Sequence, residues 1–284
     1  MRYAVLSWRT ARIIWREKPT IVFFQNPSIV LCFLISVLKF LGLVRATTVG
    51  DFHNAGVYPP VAGFLVPWMV RTNDLTIVSN DSLRRVIEEM GGRSVAIPDP
   101  LPAIHGGGAV PPDGIFRVFF VCSWAPDEPI VEVLEAARLL LDSHPDVYIA
   151  ISGRPRLEQV GWTDPVPANV ELTGFLSESD FDARLADCHT VLDLTTRDDC
   201  MVCGAYEATS IAVPMILSDN PPTRAYFDSG ALFTDNSAAD IARKITAAHG
   251  LRKELRAGVS ALRDRLRERE EQAFARLHAA LPQR

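Results

Sequence analysis

The sequence predicts an α/β protein with two doubly wound parallel sheets. Short apolar runs rich in β-branched and aromatic residues recur along the 284-residue chain, and helical patterns lie between them. This alternation is typical of buried parallel strands joined by crossover helices. Residues 98–114 hold five prolines and four glycines and separate an earlier series of strands and helices from a later one. Because such a segment cannot be the interior of a helix or strand, we expect two halves joined by a linker.

The strands are predicted wherever an apolar run is too short for a helix and is bounded by turn residues. Four such runs lie before the linker and five after it. The predicted strands are 20–25, 46–51, 75–79, 94–97, 116–122, 147–152, 170–173, 190–194 and 214–217.

Helices are predicted between these strands. The first residues alternate charged and apolar side chains and predict an amphipathic helix that ends before Pro19, because the residue before a proline avoids the helical region. Asp81 or Ser82 and Ser177 are the expected N-caps of later helices. The remaining predicted helices cover 81–90, 132–142, 177–187 and much of the chain after residue 240.

These elements predict the following domain organisation. The first domain covers 1–105, a linker covers 106–114, the second domain covers 115–250, and a helical tail covers 251–284. We expect the first domain to be incomplete, because a doubly wound half would begin with about two more strand–helix units.

Composition limits the function and the location. The chain is 48% hydrophobic with a net charge of −5, which excludes a general nucleic-acid binder, since such a protein needs a basic face. Five scattered cysteines are an odd number for a disulfide framework and favour a cytoplasmic protein.

The most apolar segment, 29–44, is too short for a bilayer span and contains Lys39. Two interpretations of it remain open. It is a helix buried in the core, or it is a helix that contacts a membrane surface, which would place the protein on the inner face of the cell membrane.

The segment around residues 199–209 is the first candidate site. A predicted strand ends in an acidic loop that opens into a short helix, where free backbone N–H groups could bind a phosphate. Glu207, one turn into that helix, could accept hydrogen bonds from ribose hydroxyls. The alternative is an acidic surface loop. Cys200 and Cys203 form a Cys-x-x-Cys pair in this loop, but the nearest further metal ligands, Cys188 and His189, lie beyond a predicted strand, so we expect no metal site.

A second candidate follows the strand predicted at 46–51. Asp51, His53 and Asn54 place a carboxylate, an imidazole and an amide at the carboxyl end of that strand. His53 could carry a proton or hold a substrate hydroxyl, or it could be a structural histidine that caps the following segment.

Two loops of the second half lie at the same predicted sheet edge. One begins with Ser123 and Trp124, and the other contains Gly153, Arg154 and Arg156. Together with Arg197, the two arginines of the second loop are the cations available for a diphosphate, although each could equally be a solvated surface residue.

The order of these motifs resembles that of GT-B glycosyltransferases of the family 4 type. The resemblance is carried by FVCSWAPDEP, YIAISGRPR, VELTGFLSESDF and RDDCMVCGAYEATSIAVPMILSDN in the second half. In the first half, VFFQNPS, TTVGDFHN and VAIPDPLP are similar to the branch of chitobiosyl-diphosphodolichol β-1,4-mannosyltransferases. The resemblance implies two Rossmann-like domains and an N-terminal domain that lacks its opening strand and glycine-rich loop.

The resemblance also implies residue roles. The family's Glu-x7-Glu pair, which straddles the donor sugar and ribose, matches Asp199 and Glu207 here. His53 would be the third catalytic residue and would face the donor sugar. The remaining implied donor-binding residues are Ser123, Trp124, Gly153, Arg154, Arg156, Arg197, Gly204, Ala208 and Thr209, and the implied acceptor-side residues are Asp51, Asn54 and Asn26.

The implied activity is transfer of a sugar from a nucleotide-diphosphate sugar to a glycan or lipid-linked acceptor, in cell-surface polysaccharide or glycolipid synthesis. No cofactor or metal is expected beside the donor substrate. Two alternatives stay open: a non-catalytic GT-B subunit that depends on a partner chain, and a sugar-nucleotide epimerase of the same fold.

Overall fold

The computed structural model describes residues 2–26, 28–104 and 113–281. Within these ranges the predicted α/β class with two parallel sheets is confirmed. The helices are α1 (Arg2–Glu17), α2 (Ile29–Phe40), α3 (Asn54–Val57), α4 (Val66–Thr72), α5 (Asp81–Glu89), α6 (Ile130–Ser143), α7 (Glu178–Asp187), α8 (Cys203–Ser210), α9 (Pro221–Tyr226), α10 (Ala238–Gly250) and α11 (Arg252–Ala280). The strands are β1 (Ile21–Asn26), β2 (Thr47–Phe52), β3 (Leu75–Val78), β4 (Ser94–Ala96), β5 (Phe116–Phe120), β6 (Val147–Ser152), β7 (Val170–Gly174), β8 (Thr190–Asp193), β9 (Met215–Ser218) and β10 (Ala231–Thr234).

The chain divides into two compact units. Unit 1 contains residues 1–99 and 269–284, and unit 2 contains residues 100–268. Helix α11, predicted as part of a separate tail, is therefore divided between the units. The predicted linker, 106–114, lies outside the described residues except for its last two positions.

Unit 1 is a parallel sheet in the order β1-β2-β3-β4. One face packs against α2, α4 and α5 through buried Ile35, Met69 and Ile87. The other face carries Val49, Leu75 and Val95, which are covered by Leu277 and Leu281 from the C-terminal segment. A partly buried ion pair connects α2 with the residue that precedes β3. Lys39 Nζ donates to Asp74 Oδ2 at 2.5 Å, and the Thr48 amide of β2 donates to the same oxygen at 2.8 Å.

Unit 2 is a parallel sheet in the order β10-β9-β8-β5-β6-β7. Successive side chains of a strand point to opposite faces, and β5 shows this directly. Phe116, Val118 and Phe120 pack with α6 and α10, whereas Phe119 packs with α8 and α11 on the opposite face. The strand order reverses direction between β5 and β8, and in open α/β sheets ligands bind at the carboxyl ends of the strands on either side of such a point.

Polar side chains cap the N-termini of α5 and α7. The Ser177 side chain accepts a hydrogen bond from the Asp180 amide, as predicted for an N-cap. The expectation of Asp81 or Ser82 as the next cap is wrong, because Asn80 caps α5 by accepting from the Leu83 amide at 2.9 Å. Asn80 lies one residue earlier in extended backbone, which is the conformation an N-cap requires.

Candidate functional site

A cavity of about 680 Å³ opens at the carboxyl ends of the unit 2 strands. We call it the unit 2 cleft. The loops after β5, β6 and β8, the turn after β7 and the start of α8 form its walls. The lining includes Ser123, Asp127, Glu128, Gly153, Arg154, Arg156, Phe175, Asp193, Cys200, Cys203 and Gly204.

The loop between β5 and α6 is organised by Glu128. Its carboxylate accepts hydrogen bonds from the amide of Ser123 at 3.0 Å, the hydroxyl of Ser123 at 2.9 Å and the amide of Ala125 at 2.7 Å. Ser123 is exposed and lines the cleft. A carboxylate that accepts several donors fixes a loop by charge-assisted hydrogen bonds, so Glu128 holds this wall in place.

Trp124, predicted to bind the donor, lies in the core instead. Its backbone has φ +64° and its side chain is only 3% exposed. The indole Nε1 donates to the Ser152 carbonyl at 2.9 Å. The left-handed backbone turns the ring inward, against the α6 side of the sheet, so Trp124 supports the loop from beneath.

Gly153 allows the β6 loop to approach the β5 loop closely. Its φ is +83°, and a Cβ there would lie 2.4 Å from the Cys122 carbonyl oxygen. The two arginines that follow, Arg154 and Arg156, are exposed and line the cleft. The Arg154 guanidinium lies 5.8 Å from the ring centre of Phe175, itself an exposed residue of the cleft wall. These groups present a cationic and aromatic surface.

Arg197 is not part of the described cleft lining, although its partner Asp127 is. Its guanidinium pairs with Asp127 Oδ1 at 2.8 Å, and the Thr195 hydroxyl donates to Asp127 Oδ2 at 2.8 Å. The charge of Arg197 is thus partly balanced within the protein, and Arg154 and Arg156 are the predicted cations that line the cleft directly.

The start of α8 departs from the expectation of free N–H groups. The amides of Gly204 and Ala205 donate to the carboxyl group of Asp193, the last residue of β8. Asp193 is buried, and burial raises its pKa well above the ordinary value although the two amides lower it. A Cβ on Gly204 would lie 2.6 Å from Asp193 Oδ2. The Asp193 carboxyl group therefore binds two of the backbone amides that the sequence predicts to be free for a phosphate.

Ala208 and Thr209 do not reach the cleft. Both are fully buried, and the Thr209 hydroxyl donates to the Ala205 carbonyl within the helix at 2.7 Å. Their predicted contact with a donor is therefore corrected to a packing role on the side of α8 that faces the sheet.

Glu207 is half-buried on α8. Burial raises its pKa, with nearby Asp182 as the smaller cause. Its Oε2 is buried and has no hydrogen-bond partner among the described residues. A buried carboxylate oxygen without a hydrogen-bond donor is costly in its charged form, which agrees with the raised pKa of Glu207. Asp199, the matching acid, lies in the preceding loop with φ +54°, and the described cleft lining includes neither acid.

The Cys and His side chains considered as metal ligands make other contacts or line the cleft. Cys200 and Cys203 line the cleft, but Cys188 Sγ donates to the Leu185 carbonyl and His189 Nδ1 accepts from the Arg117 amide. Within the described ranges no group of three or more His, Cys, Asp or Glu side chains is arranged to hold a metal ion.

In unit 1, His53 lies in a cluster of polar side chains. Its Nε2 is 3.5 Å from Asp51 Oδ2 and 3.5 Å from Gln25 Nε2. The hydrogen bond to Asp51 raises the pKa of His53, burial opposes this rise, and the charges of Asp51 and Asp99 add to it. Burial also raises the pKa of Asp99. His53 occupies the N-cap position of α3 but makes no side-chain capping bond.

Sequence reasoning missed Gln25 and Asp99 as members of this cluster. Each follows or ends a predicted strand, as Asp51 does, and that position was the available signal. The two predicted asparagines differ in placement. Asn26 is fully buried and its Nδ2 donates to the Gly56 carbonyl at 3.2 Å, so it positions the α3 loop. Asn54, the first residue of α3, is partly exposed beside His53.

Solved structures share this fold at low sequence identity. HepE from Anabaena in complex with UDP and glucose has a TM-score of 0.72 at 12% identity, over 96% of this chain and 81% of that one. A trehalose-phosphate synthase (UDP-forming) from Burkholderia vietnamiensis has a TM-score of 0.69 at 16% identity, over 98% and 78%. A putative UDP-N-acetylglucosamine 2-epimerase from Listeria monocytogenes has a TM-score of 0.63 at 13% identity, over 96% and 80%.

Sequence comparison gives the family. No curated protein sequence matches the chain significantly. Residues 111–268, more than half of the chain, match the family of glycosyl transferases group 1. This region includes the unit 2 cleft and the whole of the unit 2 sheet, and the fold agrees with the GT-B architecture predicted for the chain. The chain therefore belongs to the glycosyl transferases group 1 family and is a glycosyltransferase.

Proposed function

We propose that the chain transfers a sugar from a nucleoside-diphosphate sugar, the donor, bound in the unit 2 cleft to a glycan or lipid-linked acceptor. The observation that carries the proposal is the cleft itself. It lies at the carboxyl ends of parallel strands, where nucleotides bind in open sheets, and it is lined by two exposed arginines and an exposed aromatic ring. HepE, which shares the fold, is in complex with UDP-glucose in one of its structures.

The donor contacts follow from the chemistry of the walls. The bond between the sugar C1 and the diphosphate oxygen breaks as an acceptor hydroxyl oxygen bonds to C1, and the diphosphate leaves with the electron pair. Arg154 and Arg156 would stabilise the growing negative charge, which is the task of preorganised cations. The ring of Phe175 offers a stacking face to the base. Glu207 Oε2 would accept a hydrogen bond from a ribose hydroxyl.

The acceptor contacts are proposed in unit 1. Asp51 contacts His53, and the charges of Asp51 and Asp99 stabilise the imidazolium form and raise its pKa. The neutral form of His53 would accept the proton that an acceptor hydroxyl releases, and Asp51 would then stabilise the imidazolium that results. We place the reaction in cell-surface polysaccharide or glycolipid synthesis, in the β-1,4-mannosyltransferase-like branch, without a metal cofactor.

Donor binding tests the proposal. UDP-, GDP- and ADP-sugars are titrated calorimetrically against the full chain, and one of them is expected to bind. Glu207→Gln should weaken that donor roughly 10–100-fold, because a hydrogen bond to a charged group contributes about 1.5–3 kcal/mol. Glu135→Gln, an exposed position on α6, is the control and should leave the affinity unchanged.

The variant His53→Ala should bind the donor normally and lose turnover with acceptor. If no nucleotide sugar binds, or if Glu207→Gln and Glu135→Gln behave alike, the assignment of the site is wrong. Conversion of the donor into an isomeric nucleotide sugar in the absence of any acceptor would identify an epimerase instead of a transferase.

A further inference from the structure

Unit 1 exposes large apolar side chains on its first helix. Trp8 is 60% exposed and Trp15 is 76% exposed, and Tyr3, Leu6 and Ile13 are also exposed. Ile14 packs against the unit 1 core, so α1 is anchored from one side. At 3.6 residues per turn, Trp8 and Trp15 share one side of the helix, whereas Leu6 and Ile13 lie on another. Several large exposed apolar side chains on one helix mark an interaction site.

The same helix is strongly basic. Arg9, Arg12 and Arg16 recur at three- and four-residue spacing, so they form one stripe along the helix, and all three are exposed. The Arg12 guanidinium lies 5.2 Å from the ring centre of Trp8. Glu17 is the single acidic residue among the first eighteen positions. Trp8 and Trp15 are seven residues apart, two turns, and flank the basic stripe on one side.

Helix α2 and the turn after it continue this surface. Phe33, Phe40, Leu41 and Leu43 are exposed, whereas Cys32, Ile35 and Ser36 of the same apolar segment are buried. A cavity of about 380 Å³ opens between the end of α1 and this turn. Its lining combines apolar and cationic side chains, among them Ile14, Trp15, Lys18, Leu43 and Arg45.

We propose that this α1–α2 surface, defined by α1, α2 and residues 41–45, binds an anionic lipid bilayer. Indole rings are favoured at the boundary between headgroups and acyl chains, and arginines beside them attract anionic headgroups. The cavity at the end of α1 provides apolar walls and cations for one anionic lipid. The inference goes beyond the donor site and does not depend on it.

Charge decides between a bilayer and a second copy of the chain as the occupant. A symmetric dimer would bring two identical patches together, and the stripe of Arg9, Arg12 and Arg16 would then face its own counterpart, so the charges favour an anionic bilayer.

Helix α1 has 16 residues, about 24 Å at 1.5 Å per residue, which is shorter than the roughly 30 Å hydrocarbon core. In the described residues no helix is long and apolar enough to span a membrane. The surface therefore fits a helix that lies in the plane of the interface.

Vesicle flotation of the full chain tests the inference. The protein should float with vesicles of phosphatidylcholine and phosphatidylglycerol, and much less with phosphatidylcholine alone or in high salt. The triple variant Arg9→Glu, Arg12→Glu, Arg16→Glu should lower the partition coefficient more than about tenfold, since each basic residue near an anionic surface contributes about 1 kcal/mol. Trp8→Ser with Trp15→Ser should lower it comparably and should reduce the tryptophan quenching caused by brominated lipids; Trp68, which packs against Phe33 and Phe40, is expected to keep part of it.

Matched controls lie in unit 2. Lys253→Glu with Arg256→Glu and the exposed apolar change Leu139→Ser should float like the wild type. Circular dichroism and nucleotide-sugar titration establish that each variant is folded. The inference is overturned if the wild type stays at the bottom of the gradient, or if the control variants lose flotation equally. It is also overturned if the α1 changes alter the oligomeric state measured by sedimentation instead of the partition into lipid.

Discussion

The carboxyl group of Asp193 lies where the sequence predicts free amides for a phosphate. The residue is the last of a buried strand, and Gly204 has no side chain to keep its oxygen away from the α8 amides. An acid at the end of the TVLD run was visible in the sequence. The sequence does not show how close Asp193 lies to the amide of Gly204, eleven residues later, because the course of the intervening loop decides that distance. At this scale the contacts of a site depend on loop geometry that composition does not encode.

We expect Asp193→Asn to stabilise the protein at neutral pH. The folded-state pKa of Asp193 is raised by burial above its ordinary value near 3.8, so the folded protein holds this proton more tightly than the unfolded chain. Wild-type stability from this group is therefore highest below that ordinary value and falls as pH rises towards the raised one. Asparagine keeps an oxygen for the α8 amides and carries no charge.

Urea unfolding of wild type and Asp193→Asn across pH 4–8, a range set by that carboxyl shift, measures the difference. The advantage of the variant should grow as pH rises. A difference that stays constant with pH would contradict the raised pKa of Asp193.

At the scale of elements, the β5–α6 loop depends on one carboxylate. Glu128→Ala should cost about 1–3 kcal/mol, because it leaves the amides of Ser123 and Ala125 without their acceptor. Donor affinity should fall with it, since the loop is a wall of the cleft. Glu135→Ala, an exposed change on the helix that follows, should alter stability by about 0.5 kcal/mol or less. Thermal unfolding measures the stability of both variants, and donor titration measures their affinity. Equal effects of Glu128→Ala and Glu135→Ala would show that Glu128 does not organise the loop.

Strands were the most predictable elements. Runs such as FRVFF and VYIAIS are apolar on both faces, which is the signature of a central parallel strand. β10 was missed because its four residues ALFT are a short edge run without β-branched neighbours. The short helices α3, α4 and α9 were missed for a similar reason, since a few residues carry too little periodicity.

The candidate site was predicted in part. Ser123, Gly153, Arg154 and Arg156 line the cleft, because loops after parallel strands must gather at one edge. Burial of Trp124 could not be predicted, since it depends on a positive φ at a residue that is not glycine. Burial of Thr209 follows from which side of α8 faces the sheet, and eight residues give a weak periodic signal.

At the scale of the whole molecule, unit 1 is completed by residues from the other end of the chain. Leu277 packs with Val49, Leu75 and Val95 on one face of the sheet, and the Arg93 guanidinium donates to the Ala280 carbonyl at 3.3 Å. Leu277→Asp should therefore destabilise unit 1 by about 1–3 kcal/mol, because it places a charge on an apolar face.

The comparison variant for Leu277→Asp is Phe274→Asp, an exposed position on the same helix. Limited proteolysis should cut unit 1 faster in the first variant and leave unit 2 and its donor affinity unchanged in both. Equal protection of unit 1 in the two variants would exclude a packing role for Leu277.

This completion has a consequence for synthesis on the ribosome. Domains generally fold as units while the chain emerges, and the residues of unit 2 are contiguous, so its core can form as soon as residue 268 has left the exit tunnel. The four strands of unit 1 are made first, yet the apolar face of Val49, Leu75 and Val95 stays uncovered until Leu277 and Leu281 are translated. The half of the protein that is made first is thus the last to finish folding, and it is the half that a nascent-chain chaperone would need to protect.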